Sequence, residues 1–206
     1  MKQGDTSVTI TPSILYFGTP VALISTLNTD GRTNLSVMSS AWALGDRVVL
    51  GLGADGQAVT NLERDGECVI NLPSSELWAR VERLAPTTGR EDVPEHKRAM
   101  GYEYELDKFR RAGFTPLPSQ TVRPERVSEC PLQLEARVMA MHASALGQEQ
   151  LFRIVETQVT RVHAHLNIVE PGTNHIDTKR WSPLLYVFRH YFGTGEALGK
   201  NFRAER

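Results

Sequence analysis

The stretch "TNLSVMSSAWAL", residues 33–44, decides the fold, because its apolar residues recur as in a β-strand while hydroxyl groups interrupt them. The β-branched segment "TPVALISTL" precedes it, and "NTDG", a strong tight-turn signal, separates the two. The sequence therefore predicts a β-hairpin. Three serines stand in the middle of its second strand: Ser36, Ser39 and Ser40. A strand that only filled a core would not need so many hydroxyl groups.

The next segments predict two more strands with a helix between them. "DRVVLGLG" and "ECVINLP" are strand-like, and "QAVTNLERDG" between them predicts a short helix that begins at Thr60 or earlier and ends at Gly66. A second helix is predicted in "SSELWARVERLA", where apolar residues follow helical spacing and Ser74 or Ser75 serves as the N-cap.

Residues 86–124 are charged, rich in proline and glycine, and contain only brief helical fragments such as "PEHKRAMG" and "ELDKFRRAG". We interpret this segment, called the excursion below, as lying outside the main sheet. After it, "PLQLEARVMAMH", "QLFRIVETQVTRVHAHL" and "PLLYVFRHYF" predict strands, with "EPGTN" (170–174) as a turn. The excursion covers a ligand site or packs against a second subunit, and the sequence leaves both open.

Strands therefore dominate both halves of the chain, and regular alternation of strands with helices is missing. The pattern predicts a mainly β fold, an antiparallel barrel with a few inserted helices. With 206 residues the chain is long enough for one domain, residues 1–206, and short for two.

The composition of the chain narrows the range of partners and cellular compartments that we expect. The formal net charge is −1 and basic residues are spread along the chain, so we expect no nucleic acid and no membrane partner. The apolar run "ILYFGTPVALIST" is broken by Gly18 and Pro20 and is too short to span a bilayer. Cys68 and Cys130 show neither CxxC spacing nor a nearby histidine pattern, which favours a reduced, cytoplasmic protein without a disulfide.

The motif "GLGADG" (51–56) matches a dinucleotide-binding fingerprint, with Glu76 at about the right distance for the ribose. The helix after it is too short for a crossover between parallel strands. We therefore interpret the motif as a sharply bending loop and keep the Rossmann site as a minor alternative. The later cluster "FGTGEALGK" (192–200) predicts a final turn and helix.

An ordered set of motifs carries a resemblance to a known family. The segments are, in chain order, "PVALISTLNTDGRTNLSVMSSAW", "AVTNLERDGECVINLP", "KFRRAGFTP", "CPLQLEARV" and "SPLLYVFRHYFGTGEALG". Over roughly residues 15–199 the sequence closely resembles the flavin reductase-like family with the FMN-binding split barrel. The resemblance implies a Greek-key split barrel, a homodimer, and FMN held near the subunit interface.

The resemblance also gives the serines a role. FMN carries a phosphate, a hydroxylated ribityl chain and a ring edge with hydrogen-bonding groups, so a strand that receives it needs short donors. The expected FMN contacts in this stretch are Asn34, Ser36, Met38, Ser39, Ser40, Ala41 and Trp42. Met38 and Trp42 would be apolar walls for the ring or core residues on the opposite face, and the sequence leaves both open.

For the phosphate, the resemblance points to the loop and helix start after the next strand. Gln57, Thr60 and Asn61 occupy the matching positions. Amide groups at a helix start favour anions. The chain departs from the family's frequent pattern at Gln57, where a lysine is often found, and this weakens the expected phosphate clamp.

Three histidines are candidate site residues. His163 and His165 alternate on a strand and share a face, but no third ligand is placed by spacing, so no metal is expected. The resemblance places the last predicted strand near the flavin, which makes His190 and Tyr191 expected cofactor contacts. Because Arg189, His190 and Tyr191 would alternate in direction along a strand, only one or two of them should reach the pocket.

The resemblance implies an oxidoreductase that transfers hydride from NADH or NADPH to flavin N5. The flavin carries the chemistry, so no catalytic side chain is expected. The alternative is an FMN-binding electron carrier or storage protein with little reductase activity. The acceptor of the electrons, such as a partner monooxygenase, and the choice between NADH and NADPH stay open.

Overall fold

The computed structural model describes residues 7–146, 149–199 and 201. The first third of the chain forms β1 (Phe17–Pro20), β2 (Ala22–Leu27), β3 (Thr33–Met38), β4 (Ala41–Leu44), β5 (Arg47–Gly53), α1 (Gln57–Asp65) and β6 (Glu67–Leu72). A 3-10 turn (Ser75–Leu77) and α2 (Trp78–Glu82) follow. The next elements are β7 (Thr87–Thr88), α3 (Glu95–Ala99), β8 (Glu103–Tyr104), α4 (Lys108–Ala112), β9 (Pro116–Leu117) and β10 (Arg126–Val127). The remaining elements are β11 (Leu132–Leu146), β12 (Glu149–Ala164), a 3-10 turn (Leu166–Ile168), β13 (Leu185–Val187) and β14 (His190–Phe192).

The central sheet has seven strands in the order β3-β2-β6-β11-β12-β5-β4, and every neighbouring pair is antiparallel. Its two edge strands, β3 and β4, are separated in the chain by only Ser39 and Ser40. Because two residues span only a few ångströms, the sheet must curve until its edges come together. The prediction of a mainly β, antiparallel Greek-key split barrel with a few inserted helices is confirmed.

The predicted first hairpin is confirmed. β2 pairs with β3 from Ala22↔Met38 to Leu27↔Thr33. In the turn, Asn28 N–H donates to Arg32 O at 2.8 Å and Gly31 adopts φ 84°, which glycine tolerates without strain.

Two apolar clusters lie on the two faces of β2. Ala22 and Ile24 face the barrel interior, where they meet Ala58, Val59 and Leu62 of α1. Burial of each of the larger side chains stabilises the fold by about 1.5–3 kcal/mol. α1 ends as predicted at Gly66, whose φ of 65° is left-handed and whose N–H donates to Leu62 O at 2.9 Å.

The second cluster lies outside the barrel, between the sheet and the helices that follow β6. Leu23 and Leu35 lie on the outer face of β2 and β3. Val81, next to α2's end, and Phe109 of α4 pack against that face. The excursion is therefore anchored on the β2–β3 hairpin, and this contact brings α4 close to the serine-bearing strand.

Several predictions about single elements are wrong or incomplete. The predicted strand 33–44 is two strands, because residues 39–40 pass from one sheet edge to the other. The helix in "SSELWARVERLA" begins with a 3-10 turn, and Ser74 at its N-cap makes no side-chain capping bond. The last predicted strand is the hairpin β13–β14. The final helix predicted in 192–200 is absent over residues 193–199, and Lys200 lies outside the described residues.

The sheet topology excludes the alternative interpretation of "GLGADG" as a Rossmann site. Gly51 and Gly53 lie in β5, and Gly56 N–H donates to Gly53 O at 2.9 Å in a sharp turn before α1. β5 pairs with β4 and β12, whereas β6 pairs with β2 and β11, so the two strands do not form the parallel unit that a Rossmann site needs. Within the described part of the chain, no helix is both long and apolar enough to cross a membrane.

Candidate functional site

One large cavity of about 1060 Å³ opens beside the point where the two sheet edges meet. It is lined by the end of β3 with residues 39–40, the end of β5 with the start of α1, α2, the excursion and the β13–β14 hairpin. Its volume is at the upper limit of the roughly 300–1,000 Å³ typical of ligand pockets.

The serine-bearing stretch forms one wall. Ser36 Oγ accepts a hydrogen bond from Asn34 Nδ2 at 3.2 Å, which leaves the Ser36 hydroxyl able to donate into the cavity. Ser40 Oγ donates to Tyr16 Oη at 3.1 Å. The hydroxyl of Ser39 has no hydrogen-bond partner among the described residues. This wall therefore offers short polar groups to a ligand.

Two glycines let neighbouring segments approach this wall closely. A Cβ on Gly51 would lie 3.0 Å from Ser40 Cβ, and the Gly51 N–H donates to Ser40 O at 2.7 Å. A Cβ on Gly89 would lie 2.4 Å from Asn34 Oδ1, so only glycine brings the excursion against β3. The cavity wall thus depends on both positions having no side chain.

A buried polar network supports the wall from behind. Asn61 Nδ2 donates to Thr26 Oγ1 at 3.0 Å and to Asn28 Oδ1 at 2.9 Å. Asn61 Oδ1 accepts from Gln57 Nε2 at 2.9 Å, which fixes the direction of the Gln57 side chain at the cavity. Each such bond contributes about 0.5–1.5 kcal/mol and costs more when one partner is removed.

Aromatic side chains form another part of the cavity lining. Tyr186 packs edge-on against Tyr16, with ring centroids 5.4 Å apart, and lies 5.6 Å from Tyr191. Trp78 lies 6.4 Å from Tyr191. Tyr191 Oη donates to Glu82 Oε2 at 2.9 Å, and burial together with this carboxylate raises the pKa of Tyr191 well above its ordinary value. These rings are tilted against one another by 39–68°, and the Tyr191 phenol keeps its proton at neutral pH.

The turn of the C-terminal hairpin completes the cavity. Phe188 and Arg189 have φ of 42° and 73°, and Val187 pairs with His190 across them, as in a type I′ turn. Arg189, His190 and Tyr191 all line the cavity. The prediction that alternation would let only one or two of them reach it is wrong, because the turn reverses the chain at this point.

Comparison with known proteins identifies the family. The family model described as "Flavin reductase like domain" matches residues 14–195. The chain belongs to this family. The uncharacterized protein YdfE of Bacillus subtilis (strain 168) is 50% identical over 196 residues, which cover 95% of this chain and 93% of that protein.

Solved structures of other proteins share the fold. Flavoredoxin of Desulfovibrio vulgaris (Miyazaki F) is similar with a TM-score of 0.73 and 20% identity over all of both chains. Nitrilotriacetate monooxygenase component B from Bacillus cereus has a TM-score of 0.76 and 16% identity over 95% of this chain and 100% of its own. At these identities the likeness shows the fold, and the family model makes the chain a flavin-related oxidoreductase.

The residues that the sequence predicted for the flavin site of this family member fall into two groups. Seven line the cavity: Ser36, Met38, Ser39, Ser40, Gln57, His190 and Tyr191. Five do not: Asn34, Ala41, Trp42, Thr60 and Asn61. Asn34 and Asn61 are buried in the network behind the wall, Thr60 is exposed on α1, and Trp42 is 58% exposed on β4. Met38 both lines the cavity and packs against the barrel core.

The sequence reasoning missed two lysines of the excursion that line the cavity. Lys97 Nζ lies 2.7 Å from Asp55 Oδ1, and Lys108 Nζ donates to Leu35 O at 2.8 Å. Burial lowers the pKa of Lys108 to about 7, against an opposing effect of Glu105. Lys108 is the first residue of "KFRRAGFTP", one of the motifs that carry the resemblance, but nothing in the spacing of this motif shows that the side chain turns inward.

His163 lies in β12, but His165 follows the end of that strand, so the prediction that both alternate on one strand is wrong. His163 Nε2 lies 2.7 Å from Glu135 Oε1, and His165 Nε2 lies 2.9 Å from Ser128 O. Each ring therefore has its own partner in the protein.

Proposed function

We propose that this protein is an FMN-binding, NAD(P)H-dependent flavin reductase. The observation that carries the proposal is the cavity itself, whose lining combines a wall of hydroxyl groups with a wall of aromatic rings. A flavin has a flat ring that packs on apolar surfaces and a polar edge and side chain that need donors, so the two walls suit its two kinds of surface. The family membership supports the same ligand class.

The residues present fit FMN. Ser36 and Ser39 offer hydroxyl donors, and the half-buried start of α1 at Gln57, which lines the cavity, offers backbone amides to an anion. Gly51 and Gly89 keep the wall free of side chains that would narrow the cavity. Trp78 and Tyr191 supply apolar surface for a ring.

The bound flavin would supply the hydride-accepting N5 atom, which no side chain can replace. The protein would contribute orientation, exclusion of water by the aromatic wall, and positive potential from the cations that line the cavity. Those cations are Lys97, Lys108 and Arg189, whereas Glu82 is the one carboxylate along the same walls in the described residues. The excess of cations over carboxylates along the cavity would stabilise a flavin that gains negative charge on reduction.

Exposed apolar side chains support the homodimer that we propose. Seven of the large exposed ones lie on β4 and on the β11–β12 hairpin: Trp42, Leu44, Met139, Leu151, Phe152, Ile154 and Val162. Exposed apolar side chains of this size favour a protein interface over solvent. The free, buried thiols of Cys68 and Cys130 support a cytoplasmic, reducing compartment.

The reduced flavin needs an acceptor. Because a structural neighbour is named nitrilotriacetate monooxygenase component B, we include a partner monooxygenase among the acceptors proposed for this chain. A small acceptor such as ferric iron or a quinone would serve the same chemistry.

An absorbance measurement tests the proposal. The protein is mixed with FMN, desalted, and treated anaerobically with NADH or NADPH. Retained visible flavin absorbance that one nucleotide bleaches is the expected result, and it names the donor. Retained flavin that neither nucleotide bleaches would favour an electron carrier. If no flavin is retained, a steady-state assay with free FMN decides, and inactivity there would refute the proposal.

A matched pair of variants ties the result to the cavity. Ser39→Ala removes a hydroxyl that lines it, whereas Ser128→Ala removes one that lies elsewhere. Loss of one hydrogen bond of about 0.5–1.5 kcal/mol predicts an FMN dissociation constant roughly 2- to 10-fold higher for Ser39→Ala. Ser128→Ala should bind FMN as tightly as the wild type. Equal dissociation constants for the two variants would show that the Ser39 hydroxyl does not contribute to FMN binding.

A further inference from the structure

The turn of the β13–β14 hairpin carries backbone strain beside the cavity. Phe188 and Arg189 both have a left-handed backbone, with φ of 42° and 73°. Such a backbone is uncommon for residues with large side chains, and residues held in it cluster at ligand sites. Both residues are exposed, so the filling of a core does not explain why they stand in this turn. The strain therefore indicates a role in function.

Contacts on both sides hold this turn in place. Phe188 N–H donates to Tyr16 O at 2.8 Å. Directly after β14, a Cβ on Gly193 would lie 2.9 Å from Ser75 Cβ, so the end of the hairpin is in tight contact with the 3-10 turn before α2. The hairpin therefore carries Arg189 at a fixed position along the cavity.

The guanidinium group of Arg189 is available to a ligand. Within the described part of the chain it forms no ion pair and no side-chain hydrogen bond. The two other cations that line the cavity are used by the protein. Lys97 Nζ lies 2.7 Å from Asp55 Oδ1, and Lys108 is 2% exposed and donates to Leu35 O at 2.8 Å.

The carboxylate of the cavity does not neutralise this arginine. Glu82 is the one carboxylate along the cavity in the described residues, and its Oε2 accepts from Tyr191 Oη at 2.9 Å. It forms no ion pair with Arg189. The hairpin end of the cavity therefore offers an uncompensated positive charge to an anion.

Aromatic rings remain exposed at the same hairpin. Trp78 is 52% exposed and Phe192 is 51% exposed, although both line the cavity. Phe192 belongs to β14, and Trp78 lies 6.4 Å from Tyr191 of the same strand. Exposed rings of this kind offer stacking surface to a nucleobase. A cation together with stacking surface suits a nucleotide, which joins a base to phosphate groups.

The cavity has room for a second nucleotide beside a flavin. Its volume of about 1060 Å³ is at the upper limit of the roughly 300–1,000 Å³ typical of pockets for one ligand. The amides at the start of α1, which suit the anionic group of the flavin, belong to a different element from the hairpin. The free cation of the hairpin is therefore left for the other substrate.

We propose that Arg189 binds a phosphate group of the nicotinamide nucleotide that reduces the flavin. The inference rests on the proposed function and deepens it, because it assigns a residue that determines the affinity for the second substrate. A guanidinium group forms two parallel hydrogen bonds with phosphate oxygens, which an ammonium group does not. The phosphate is either the 2′-phosphate of NADPH or the pyrophosphate that NADH and NADPH share, and the experiment distinguishes them.

Steady-state oxidation of NADH and of NADPH, with saturating free FMN, tests the inference. The wild type is compared with Arg189→Gln, which removes the charge, with Arg189→Lys, which keeps the charge without the planar fork, and with Arg180→Gln. Arg180 is an exposed arginine outside the cavity and serves as the matched control.

Arg189→Gln should raise the KM for the nucleotide by about 10- to 100-fold, the effect of one charge-assisted hydrogen bond. Its kcat should stay within about twofold, because a phosphate contact is equally strong before and during hydride transfer. Arg189→Lys should recover part of the loss, and Arg180→Gln should match the wild type. A loss with NADPH alone assigns the 2′-phosphate, and an equal loss with both nucleotides assigns the pyrophosphate. An unchanged KM for both would overturn the inference while the proposed function stands.

Calorimetric titration measures binding apart from activity. The FMN-loaded protein is titrated with NAD⁺ and NADP⁺, which cannot donate hydride, and Arg189→Gln should weaken binding by the same factor as it raises KM. The dissociation constant of FMN should stay within about twofold. An equal loss of FMN affinity would assign Arg189 to the flavin and overturn the inference. A wild type that binds NAD⁺ or NADP⁺ through Arg189, but whose flavin neither NADH nor NADPH reduces, would refute the proposed reductase and leave the binding role of Arg189 in place.

Thermal unfolding without ligand separates a binding role from a structural one. Because Arg189 loses no contact with the described residues when it is replaced, Arg189→Gln should melt within about 1 °C of the wild type. A fall in melting temperature of several degrees would assign Arg189 to holding the hairpin together and would overturn its binding role.

Discussion

Substitution of Gly89 by alanine should damage both the fold and the cavity. A Cβ at this position would lie 2.4 Å from Asn34 Oδ1 and 3.1 Å from Gln57 Cβ. Asn34 is 1% exposed and cannot move into solvent without losing its bonds to Ser36 Oγ at 3.2 Å and Thr26 Oγ1 at 3.4 Å. Either the asparagine network breaks or the excursion moves away from β3.

The expected cost follows from these contacts. Overpacking of a well-packed site costs about 1–3 kcal/mol, and each broken hydrogen bond adds about 0.5–1.5 kcal/mol. We expect Gly89→Ala to lower the free energy of unfolding by about 2–4 kcal/mol. For a chain of this length, this corresponds to a fall in melting temperature of roughly 4–15 °C.

Circular dichroism during heating measures the effect, with Gly195→Ala as the control. A Cβ on Gly195 would contact nothing within 4 Å, and its backbone has no positive φ, so this variant should melt within about 1 °C of the wild type. FMN binding by Gly89→Ala should weaken as well, since the same wall lines the cavity. A variant with unchanged melting temperature and unchanged FMN affinity would refute the close approach of the excursion to β3.

Three further substitutions have defined outcomes. Arg189 has a left-handed backbone at φ 73°, which asparagine adopts with less strain than arginine. Arg189→Asn should therefore raise the free energy of unfolding, measured by urea denaturation, by up to about 1 kcal/mol. A lower free energy of unfolding would contradict a strained turn. Glu135 is fully buried, and although burial opposes it, hydrogen bonds from Thr121, Gln120 and His163 lower its pKa to about 2. Its stabilisation is complete above pH 4.5 and lost as the pH falls toward 2, so Glu135→Gln should cost about 2–3 kcal/mol at pH 7 and flatten the acid unfolding curve; an unchanged curve would rule out this role. Trp42→Asp should convert the proposed dimer to a monomer in light scattering, and a retained dimer would place the interface elsewhere.

Local pattern predicted the elements well where neighbouring residues determine them. The β2–β3 hairpin follows from its turn residues, and α1 ends where Gly66 permits a left-handed backbone. The C-terminal hairpin was missed because Phe188 and Arg189 are poor turn residues, and nothing in "YVFRHYF" indicates a positive φ. When residues that do not favour a turn nevertheless form one, the packing around them determines the turn. The periodicity of apolar residues in the sequence does not predict such packing.

The residues that line the cavity were also predicted only in part, because some of them are brought there by packing between distant segments. Hydroxyl groups in a strand are visible in the sequence, and Ser36, Ser39 and Ser40 do line the cavity. Asn34 was placed with them, but it lies behind the wall because its amide is used by Ser36 and Thr26. Lys97 and Lys108 were missed because their contacts to Asp55 and Leu35 bridge more than forty residues of chain, a distance over which a single sequence carries no pairing signal.

The serines that interrupt the strand in residues 33–44 have a physical reason that combines fold and site. At Ser39 and Ser40 the chain leaves one edge of the sheet and enters the other, so its backbone cannot be paired as in a continuous strand. One carbonyl, that of Ser40, is satisfied by the Gly51 N–H at 2.7 Å, and the lack of a side chain on Gly51 permits the approach. Bulky apolar residues at this junction would fill the gap between the edges and close the cavity. Small hydroxyl residues instead leave the gap open and polar, and this is why the point where the barrel closes is also where a ligand can enter.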